Sequence, residues 1–321
     1  MKRIAVLGPN PAWQKTLFFE RFRYGEINRA VEMQQFPAGK GINFCRAVAC
    51  HGRSEAMLVQ FTGGENGEKI RDGLEQEFMA VHNVRTEKPT RCCTTCLCRA
   101  TQTMTEVIEP SYAADPGEVK MLLDGFEDVL DDSDAAAFCG TLPTGTDPAL
   151  YPRAAQFLLE QKKPLLLDSY QNLRPVFEMN LTIYLKINKE ELSAMTGEQT
   201  IEAGLKKVFQ FPSVRFAAIT DGPGKAYASD GKRLVAYTIP QLDKVVNPIG
   251  CGDTASAVLL SEMLEGTDPF EAFRQALAAA SANCLSAFPG SFSTTDAAAI
   301  AETISALPAL ARHEETALTC P

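Results

Sequence analysis

An acid beside a glycine turn is the part of this chain best suited to chemistry. Residues 247–254 read Asn-Pro-Ile-Gly-Cys-Gly-Asp-Thr and run into the small-residue segment 255–264, which predicts a helix. Gly250 and Gly252 carry no Cβ, so the backbone can turn sharply and bring its N–H groups close to a ligand. Added to the positive end of the helix dipole, those groups predict an anion site. Asp253 then either caps the helix or removes a proton from a substrate hydroxyl beside a bound phosphate.

A second glycine turn lies some two hundred residues earlier. Residues 37–44 read Pro-Ala-Gly-Lys-Gly-Ile-Asn-Phe and precede the periodic apolar run 45–49. Such a turn lets the backbone lie against a polyhydroxy ligand, and Asn43 offers both a donor and an acceptor. The alternative is an ordinary turn in which Lys40 is only solvated. Two such turns predict a ligand held between distant parts of the chain.

Further motifs occur in a fixed order along most of the sequence. They are residues 10–16 (Asn-Pro-Ala-Trp-Gln-Lys-Thr), 25–29 (Gly-Glu-Ile-Asn-Arg), 38–43 (Ala-Gly-Lys-Gly-Ile-Asn), 90–91 (Thr-Arg), 105–110 (Thr-Glu-Val-Ile-Glu-Pro), 140–145 (Gly-Thr-Leu-Pro-Thr-Gly), 186–191 (Lys-Ile-Asn-Lys-Glu-Glu), 220–222 (Thr-Asp-Gly) and 247–254. On these residues the chain resembles the ribokinase, or phosphofructokinase-B (PfkB), family of carbohydrate kinases. Within it, the chain is most similar to the branch that contains 1-phosphofructokinase and tagatose-6-phosphate kinase.

The elements that must position these residues alternate along the chain. Short apolar runs predict strands at 4–7, 56–60, 135–138, 164–167, 182–185 and 216–219, and helical spacing predicts helices at 69–78, 117–130, 148–161 and 189–196. This alternation predicts a parallel sheet covered by helices, with ligands bound beyond the carboxyl ends of the strands. A last helix and a frayed end are expected after about residue 297.

The resemblance makes this architecture more specific. It implies an α/β fold of the ribokinase-like kind, a three-layer αβα sandwich that spans residues 1–321 as a single kinase domain. A small β-sheet lid, formed by about residues 16–37 and 91–110, is expected to close on the sugar. Because such lids pair between subunits in this family, a homodimer is also expected.

The resemblance implies an ATP-dependent, magnesium-requiring kinase acting on a hydroxyl of a small sugar phosphate. The expected acceptor is a ketohexose monophosphate: fructose 1-phosphate, tagatose 6-phosphate or fructose 6-phosphate. A monovalent cation is a further expected cofactor. Asp253 would be the general base. The groups that hold the transferring oxygens would be the backbone N–H groups of Gly250, Cys251 and Gly252.

The nucleotide side of the site is also assigned by resemblance. Asn188 and Glu191 match the family's Asn-x-x-Glu pattern, in which Glu191 acts on magnesium through water. The alternative is a helix start, with Asn188 as the cap and Glu191 as its capping-box partner. The remaining nucleotide-binding candidates are Lys186, Thr220, Gly222 and Asn283.

On the acceptor side, Arg29 and Arg91 match the lid positions that hold a phosphate already on the sugar. Arginine suits this role because its planar fork bonds two oxygens at once. Lys40 would assist these arginines, and Thr141 stands where the branch usually has serine. The residues expected to contact the ring hydroxyls are Gly39 and Asn43.

Three departures from the family pattern concern mainly the sugar. Gln14 replaces a frequent aspartate that accepts bonds from sugar hydroxyls, so the position keeps an acceptor but loses its charge. Ala38 replaces a frequent glycine, and Ile249 a frequent threonine. These changes leave the transfer residues intact and suggest altered sugar selectivity.

Composition excludes several other classes. The formal net charge of −9, without dense Lys/Arg blocks, argues against a nucleic-acid or anionic-membrane surface. A short apolar run after Met1 and the lack of a long one favour a cytoplasmic protein over a secreted or membrane-spanning one. The segment 92–98 holds four cysteines, which indicate either a metal site or a half-buried strand with Cys92, Cys96 and Cys98 on one face and Cys93 on the other.

Two rival functions remain open from the sequence. One is a kinase of the same fold for an unphosphorylated sugar or a nucleoside. The other is a catalytically weak sensor that binds sugar phosphates. A dehydrogenase is disfavoured, because residues 8–11 (Gly-Pro-Asn-Pro) lack the spaced glycines of dinucleotide binding.

Overall fold

The computed structural model describes residues 1–307. In chain order its strands are β1 (Lys2–Leu7), β2 (Ala12–Phe19), β3 (Glu32–Ala38), β4 (Ser54–Gly63), β5 (Val81–Thr86), β6 (Cys92–Cys98), β7 (Thr103–Ile108), β8 (Ala135–Cys139), β9 (Leu165–Asp168), β10 (Ile183–Asn188), β11 (Val214–Asp221), β12 (Lys225–Ser229), β13 (Leu234–Thr238) and β14 (Ser305–Leu307). Its helices are α1 (Lys40–His51), α2 (Gly64–Gln76), α3 (Pro116–Asp131), α4 (Leu150–Gln161), α5 (Arg174–Phe177), α6 (Lys189–Thr196), α7 (Ile201–Val208), α8 (Cys251–Leu264), α9 (Pro269–Asn283) and α10 (Thr294–Ala301). None of these helices is both long and apolar enough to cross a membrane.

A large, mainly parallel sheet forms the middle layer. Within the described residues its strand order is β14-β13-β12-β11-β10-β9-β8-β1-β4-β5. The strands from β11 to β5 run parallel, whereas β12, β13 and β14 extend one edge in antiparallel pairs. Parallel strands place their carboxyl ends at one edge, where ligands bind in such folds.

The core lies on both faces of this sheet. In β1, Ile4 and Val6 belong to the apolar cluster beneath α1, α8 and α9, while Ala5 and Leu7 belong to the cluster beneath α3 and α4. Successive side chains of a strand point to opposite faces, so a strand covered by helices on both sides reads as a continuous apolar run. The three layers confirm the predicted fold class.

A second, four-stranded sheet has the order β3-β2-β6-β7. Its first strand begins at Ala12, four residues before the predicted start, and residues 20–31 form a connection without strand structure. In β6, Cys92, Cys96 and Cys98 are buried and Cys93 is half-buried, consistent with a strand whose two faces differ. No group of three potential metal ligands occurs among the described residues, and the strand interpretation of the cysteines fits.

The edge strands β5, β12, β13 and β14 were not predicted from the sequence, and neither were helices α5 and α7. Most side chains of β5, β13 and β14 are half-buried or exposed, although residues 234–237 of β13 are apolar. The last helix, α10, begins at Thr294, and the chain then pairs as β14 with β13 rather than continuing as helix. The frayed end predicted beyond this strand lies outside the described residues.

Removal of the Phe138 ring should reveal how much the buried sheet depends on its aromatic packing. Phe138 in β8 is fully buried, with its ring centroid 4.9 Å from that of Tyr151 and 5.6 Å from that of Phe126. Phe138→Ala is expected to lower the free energy of unfolding by about 3 to 5 kcal/mol in urea titrations, because a cavity remains. Phe78 is 96% exposed and supplies the control. Phe78→Ala should change the free energy of unfolding by less than about 0.5 kcal/mol. Equal effects of the two substitutions would contradict the packing described.

Candidate active site

The turn before α8 gives Asp253 no capping role. Gly250 precedes the helix with a φ of 84°, and a Cβ there would lie 2.8 Å from the backbone nitrogen of Gly290. Only glycine fits, because an L side chain meets both an unfavourable backbone region and the neighbouring chain. No side chain among the described residues caps α8 by a hydrogen bond. The helix mouth therefore keeps its N–H groups available, and the Asp253 carboxylate is directed elsewhere.

Asp253 joins the two glycine turns. Its carboxylate is buried, and its Oδ2 accepts a hydrogen bond of 2.8 Å from Nδ2 of Asn43, near the start of α1. The turn before α1 requires Gly39, whose φ is 129° and where a Cβ would lie 2.9 Å from Cα of Pro11. The two turns, remote in sequence, therefore meet at one carboxylate.

A buried arginine fixes the orientation of Asn43. The guanidinium of Arg46 pairs with the carboxylate of Glu77 through bonds of 2.6 and 2.7 Å and donates to the carbonyl of Pro37 at 2.8 Å. Its Nη1 also lies 3.4 Å from Oδ1 of Asn43. With that oxygen turned to Arg46, the amide nitrogen of Asn43 is the atom that faces Asp253.

Lys40 is the centre of a cluster of charges beside this bond. Its Nζ lies 2.7 Å from Oδ1 of Asp168 and 3.0 Å from Oε1 of Glu191. Burial opposes the charge of Lys40, but Asp168, Glu191 and Asp253 together raise its pKa well above the ordinary lysine value. Lys40 is therefore a fixed cation rather than a solvated one, and the solvated-lysine alternative is wrong.

Asp168 and Ser256 are site residues that the sequence analysis missed. Asp168 ends β9, is 1% exposed, and accepts a 2.6 Å bond from the hydroxyl of Ser256, one turn after Asp253 on α8. Although burial opposes its ionisation, Lys40 and Lys186 lower the pKa of Asp168. A usable signal existed: a carboxylate directly after the buried leucines 165–167, at the sheet edge where ligands bind.

The environment of Asp253 suits proton transfer. Burial, with the negative charge of nearby Asp168, raises the pKa of Asp253 to about 6, while Lys40, Asn43 and Lys186 act in the opposite direction. A carboxylate with a pKa close to neutrality is both ionised at pH 7.5 and able to hold a proton during a reaction.

Positive charge faces the glycine turn. Lys186 in β10 is 3% exposed, and its Nζ would lie 3.0 Å from a Cβ built on Gly252, so the ammonium is at the mouth of α8. Together with the first N–H groups of the helix, it makes this mouth a site for an anion.

Two adjoining cavities open beside the charged cluster. Their volumes are about 110 and 510 Å³, and both are lined by Asn10, Arg91, Thr141 and Ser169. The smaller one is also lined by Gly39, Lys40 and Glu191. Four predicted acceptor-binding residues, Gly39, Lys40, Arg91 and Thr141, therefore border this space together with Glu191.

A sequence profile described as pfkB family carbohydrate kinase matches residues 2–295. The chain belongs to this family of carbohydrate kinases. Its fold is similar to that of phosphofructokinase-2 from Escherichia coli, solved in complexes with fructose-6-phosphate (TM-score 0.80) and with potassium (TM-score 0.81), each 23% identical and covering 94% of this chain and 99% of that one. It is also similar to a protein from Thermotoga maritima described as a possible 1-phosphofructokinase, at TM-score 0.83 and 16% identity, covering 96% of this chain and 100% of that one.

In this pfkB kinase, Asn188 and Glu191 do form a capping box at the start of α6. Oδ1 of Asn188 accepts from the backbone nitrogen of Glu191 at 2.8 Å, and Oε2 of Glu191 accepts from that of Asn188 at 2.9 Å. The second oxygen of Glu191 points to Lys40. The capping box that the sequence offered as an alternative is therefore present. It uses one carboxylate oxygen of Glu191 and leaves the other beside Lys40.

Two predicted ligand residues use their amides within the protein. Nε2 of Gln14 donates to Oγ1 of Thr95 at 2.8 Å, inside the four-stranded sheet. Asn283 is fully buried, and its amide nitrogen donates to the carbonyl of Ile249 at 3.0 Å and to Sγ of Cys251 at 3.2 Å. Asn283 therefore supports the glycine turn directly, whatever its relation to the nucleotide.

The remaining candidates lie at the margins of the site. Arg29 is exposed in the connection between β2 and β3 and borders neither of the two cavities. Thr220, the second-last residue of β11, pairs in register with Asn188 at the end of β10, and Gly222 follows the strand in an exposed turn with a φ of 68°. Thr220 therefore shares a sheet edge with Asn188, whereas Arg29 is set apart.

Substitution of Asp253 should stabilise the protein above neutral pH. A pKa of about 6 in the folded state exceeds the ordinary value of 3.8, so the folded protein binds more protons than the unfolded chain between these values. Stability contributed by this position therefore falls as pH rises through that window. Asp253→Asn, which cannot ionise but keeps an acceptor for Asn43, should raise the free energy of unfolding by about 1 to 3 kcal/mol at pH 7.5.

The measurement is denaturant unfolding at pH 7.5 and at pH 4, where the advantage of the variant should shrink. Asp72→Asn is the matched control, because Asp72 is exposed on α2. If Asp253→Asn is no more stable than the parent at pH 7.5, the pKa of Asp253 is not raised in the folded protein.

Proposed function

We propose that this carbohydrate kinase transfers a phosphoryl group from ATP to a hydroxyl of a ketohexose monophosphate, namely fructose 1-phosphate, tagatose 6-phosphate or fructose 6-phosphate. The kinases of the pfkB family use ATP as co-substrate. The observation that carries the proposal is the buried Asp253 carboxylate, with its pKa raised to about 6, beside an uncapped glycine turn.

Asp253 is the general base in this proposal. Phosphoryl transfer needs an acceptor hydroxyl held in line and its proton removed as the new P–O bond forms. The carboxylate oxygen not bonded to Asn43 takes that proton. Burial, and then the negative charge of Asp168 nearby, keep the pKa of Asp253 high.

The mouth of α8 holds the moving phosphoryl group. The backbone N–H groups of Gly250, Cys251 and Gly252 point their donors at developing negative charge, and Lys186 adds a cation close to Gly252. In an analogous oxyanion site one such donor lowers the activation free energy by about 3 to 4 kcal/mol.

The acceptor occupies the cavities beside Lys40. Arg91 borders both of them, and its Nε is buried with no hydrogen-bond partner in the described part of the chain. A buried, unpaired guanidinium nitrogen favours an anionic ligand. The phosphate of the sugar would be this anionic ligand. Thr141 would add a hydroxyl, and Arg29 would approach when the four-stranded sheet closes as a lid.

Magnesium fits the donor set as an ion shared with the nucleotide. No group of three potential ligands could hold a metal alone among residues 1–307, but Glu191 offers a carboxylate beside Lys40. Mg²⁺ commonly binds through one or two carboxylates, phosphates and waters. When bound, it would neutralise charge on the phosphates, with Glu191 acting through water and Asn188 beside it. A monovalent cation stays a prediction.

A homodimer through the four-stranded sheet is part of the same proposal. Exposed apolar side chains occur on its strands and connections, among them Met33, Met104, Val107 and Ile108, which are 43–59% exposed. Apolar groups clustered on one small sheet favour a protein interface.

An ADP-release screen tests the reaction. The panel comprises the three ketohexose monophosphates, unphosphorylated fructose and tagatose, and a nucleoside, each with ATP and Mg²⁺. A ketohexose monophosphate should give the highest kcat/KM, and Asp253→Asn should lower kcat by about 10²- to 10⁴-fold, the usual contribution of a general base. Asp72→Asn should retain the parental rate. Thermal stabilisation by a sugar phosphate without ADP formation would support the sensor instead.

Arg91 should discriminate phosphorylated from unphosphorylated acceptors. Arg91→Ala is expected to raise KM for the best sugar phosphate by at least about tenfold, because a hydrogen bond to a charged group contributes about 1.5 to 3 kcal/mol. KM for ATP should stay within about twofold. The control is Arg174→Ala, which removes an exposed arginine paired with Glu178 on the surface. An unchanged KM for the sugar phosphate would favour an unphosphorylated acceptor.

A further inference from the structure

Two thiols meet at the mouth of α8, and the proposed transfer uses neither sulfur. Sγ of Cys251, the first residue of α8, lies 3.0 Å from Sγ of Cys284, which caps the carboxyl end of α9. Both residues are partly exposed. Among residues 1–307 no other two thiols are in hydrogen-bond contact.

Local hydrogen bonds favour reaction between these two sulfurs. Asn283 donates to Sγ of Cys251 at 3.2 Å and so fixes its position. The hydrogen bond between the two sulfurs lowers the pKa of Cys284 and, together with burial, raises the pKa of Cys251. Since the thiolate is the reactive form, Cys284 is the sulfur that an oxidant meets first.

We propose that Cys251 and Cys284 are a modification site at which peroxide forms a reversible disulfide that disables the anion turn. The Cys284 thiolate attacks one peroxide oxygen, the O–O bond breaks, and a sulfenic acid forms with loss of hydroxide, which is protonated to water. Sγ of Cys251 then attacks the sulfenic sulfur, the S–O bond breaks, and the departing hydroxide takes the thiol proton as water. Two thiols lose two electrons, one peroxide becomes two waters, and a dithiol reductant reverses the change.

The disulfide would disturb the turn because Cys251 is part of it and the backbone of Cys284 is hydrogen-bonded to the residues that precede it. The backbone N–H of Cys251 belongs to the proposed anion site, and the carbonyl of Cys284 accepts from the backbone nitrogens of Val246 and Asn247 at 2.8 and 3.2 Å. Closing the sulfurs from 3.0 Å to the disulfide length of about 2.05 Å pulls the first turn of α8 toward α9. A Cβ built on Gly250 would lie only 2.8 Å from the backbone nitrogen of Gly290, so the space beside this turn is narrow.

The functional half of the inference rests on the proposed function of this turn. A misplacement of about 1 Å in a reacting geometry can cost about 10²-fold in rate. Oxidised protein should therefore lose at least about tenfold in kcat with the best acceptor, and dithiothreitol should restore it.

The linkage can be measured without any activity. Trypsin cleaves after Lys244, Arg274 and Arg312, so Cys251 and Cys284 fall in separate peptides that each contain one cysteine. After hydrogen peroxide treatment of the full chain, non-reducing mass spectrometry should find residues 245–274 joined to 275–312, with a loss of two hydrogens. Absence of this linked pair overturns the proposal.

Variants separate the pair from the other cysteines. Cys284→Ala should retain the parental kcat before treatment and become resistant to peroxide, with Cys284→Ser as a second variant should alanine fail to fold. Cys50→Ala keeps the pair and should remain as sensitive as the parent. Loss of activity in Cys284→Ala equal to that of the parent, or full activity in linked protein, overturns the regulatory role.

Failure of the proposed reaction would be distinguishable. If reduced protein turns over no acceptor, the affinity for MgATP replaces kcat as the readout, measured by calorimetry. Linked protein should bind MgATP at least about tenfold more weakly than reduced protein. Unchanged affinity in that case overturns the inference, whereas a loss reversed by dithiothreitol supports it.

Discussion

The hydrogen bond from Asn43 to Asp253 is the contact on which the site depends. It joins the amino-terminal turns of α1 and α8, which lie 210 residues apart in sequence, and both partners are almost fully buried. Each turn alone is a bend with exposed N–H groups. Brought together, they put the Asp253 carboxylate and the open mouth of α8 beside the amino terminus of α1, where Gly39 and Lys40 line the smaller cavity. The two turns need glycine at 39 and 250, where a Cβ would strike Pro11 and Gly290 respectively.

The two buried carboxylates near this contact, Asp168 and Asp253, have different numbers of partners that offset their negative charge. Asp168 has Lys40, Lys186 and the Ser256 hydroxyl, and its pKa is lowered despite burial. Asp253 has one amide bond and the charge of Asp168 nearby, and its pKa is raised. Two carboxylates on adjacent elements thus differ in proton affinity because their partners differ. One remains a fixed anion that holds Lys40, while the other can exchange a proton.

The sequence predicted what is locally encoded. The two glycine turns, the buried strands at 4–7 and 135–138, and helix 189–196 follow from composition and period, and the last matches α6 residue for residue. Asp168 was missed because its importance comes from Lys40 and Ser256, which reach it only in the folded chain. In the antiparallel edge, β12 and β14 carry no apolar run of four residues, whereas β13 does at 234–237 and was still not identified. Sequence left both a capping role and a proton-transfer role open for Asp253, and the bond from Asn43 that orients its carboxylate forms only in the folded chain.

In the proposed function, transfer and selectivity belong to different parts of the fold, which would allow the departures from the family pattern to affect the sugar alone. Asp253, the glycine turn and the two lysines stand on elements anchored in the two apolar clusters. Gln14 and Arg29 belong to the four-stranded sheet and its connection, and Arg91 lies just before β6. The amide nitrogen of Gln14 is bonded to Thr95, so a glutamine here satisfies the sheet itself where a carboxylate would seek donors from a ligand. A change of sugar can therefore arise at position 14 while the geometry of Asp253, set by Asn43 and the core beneath it, stays the same.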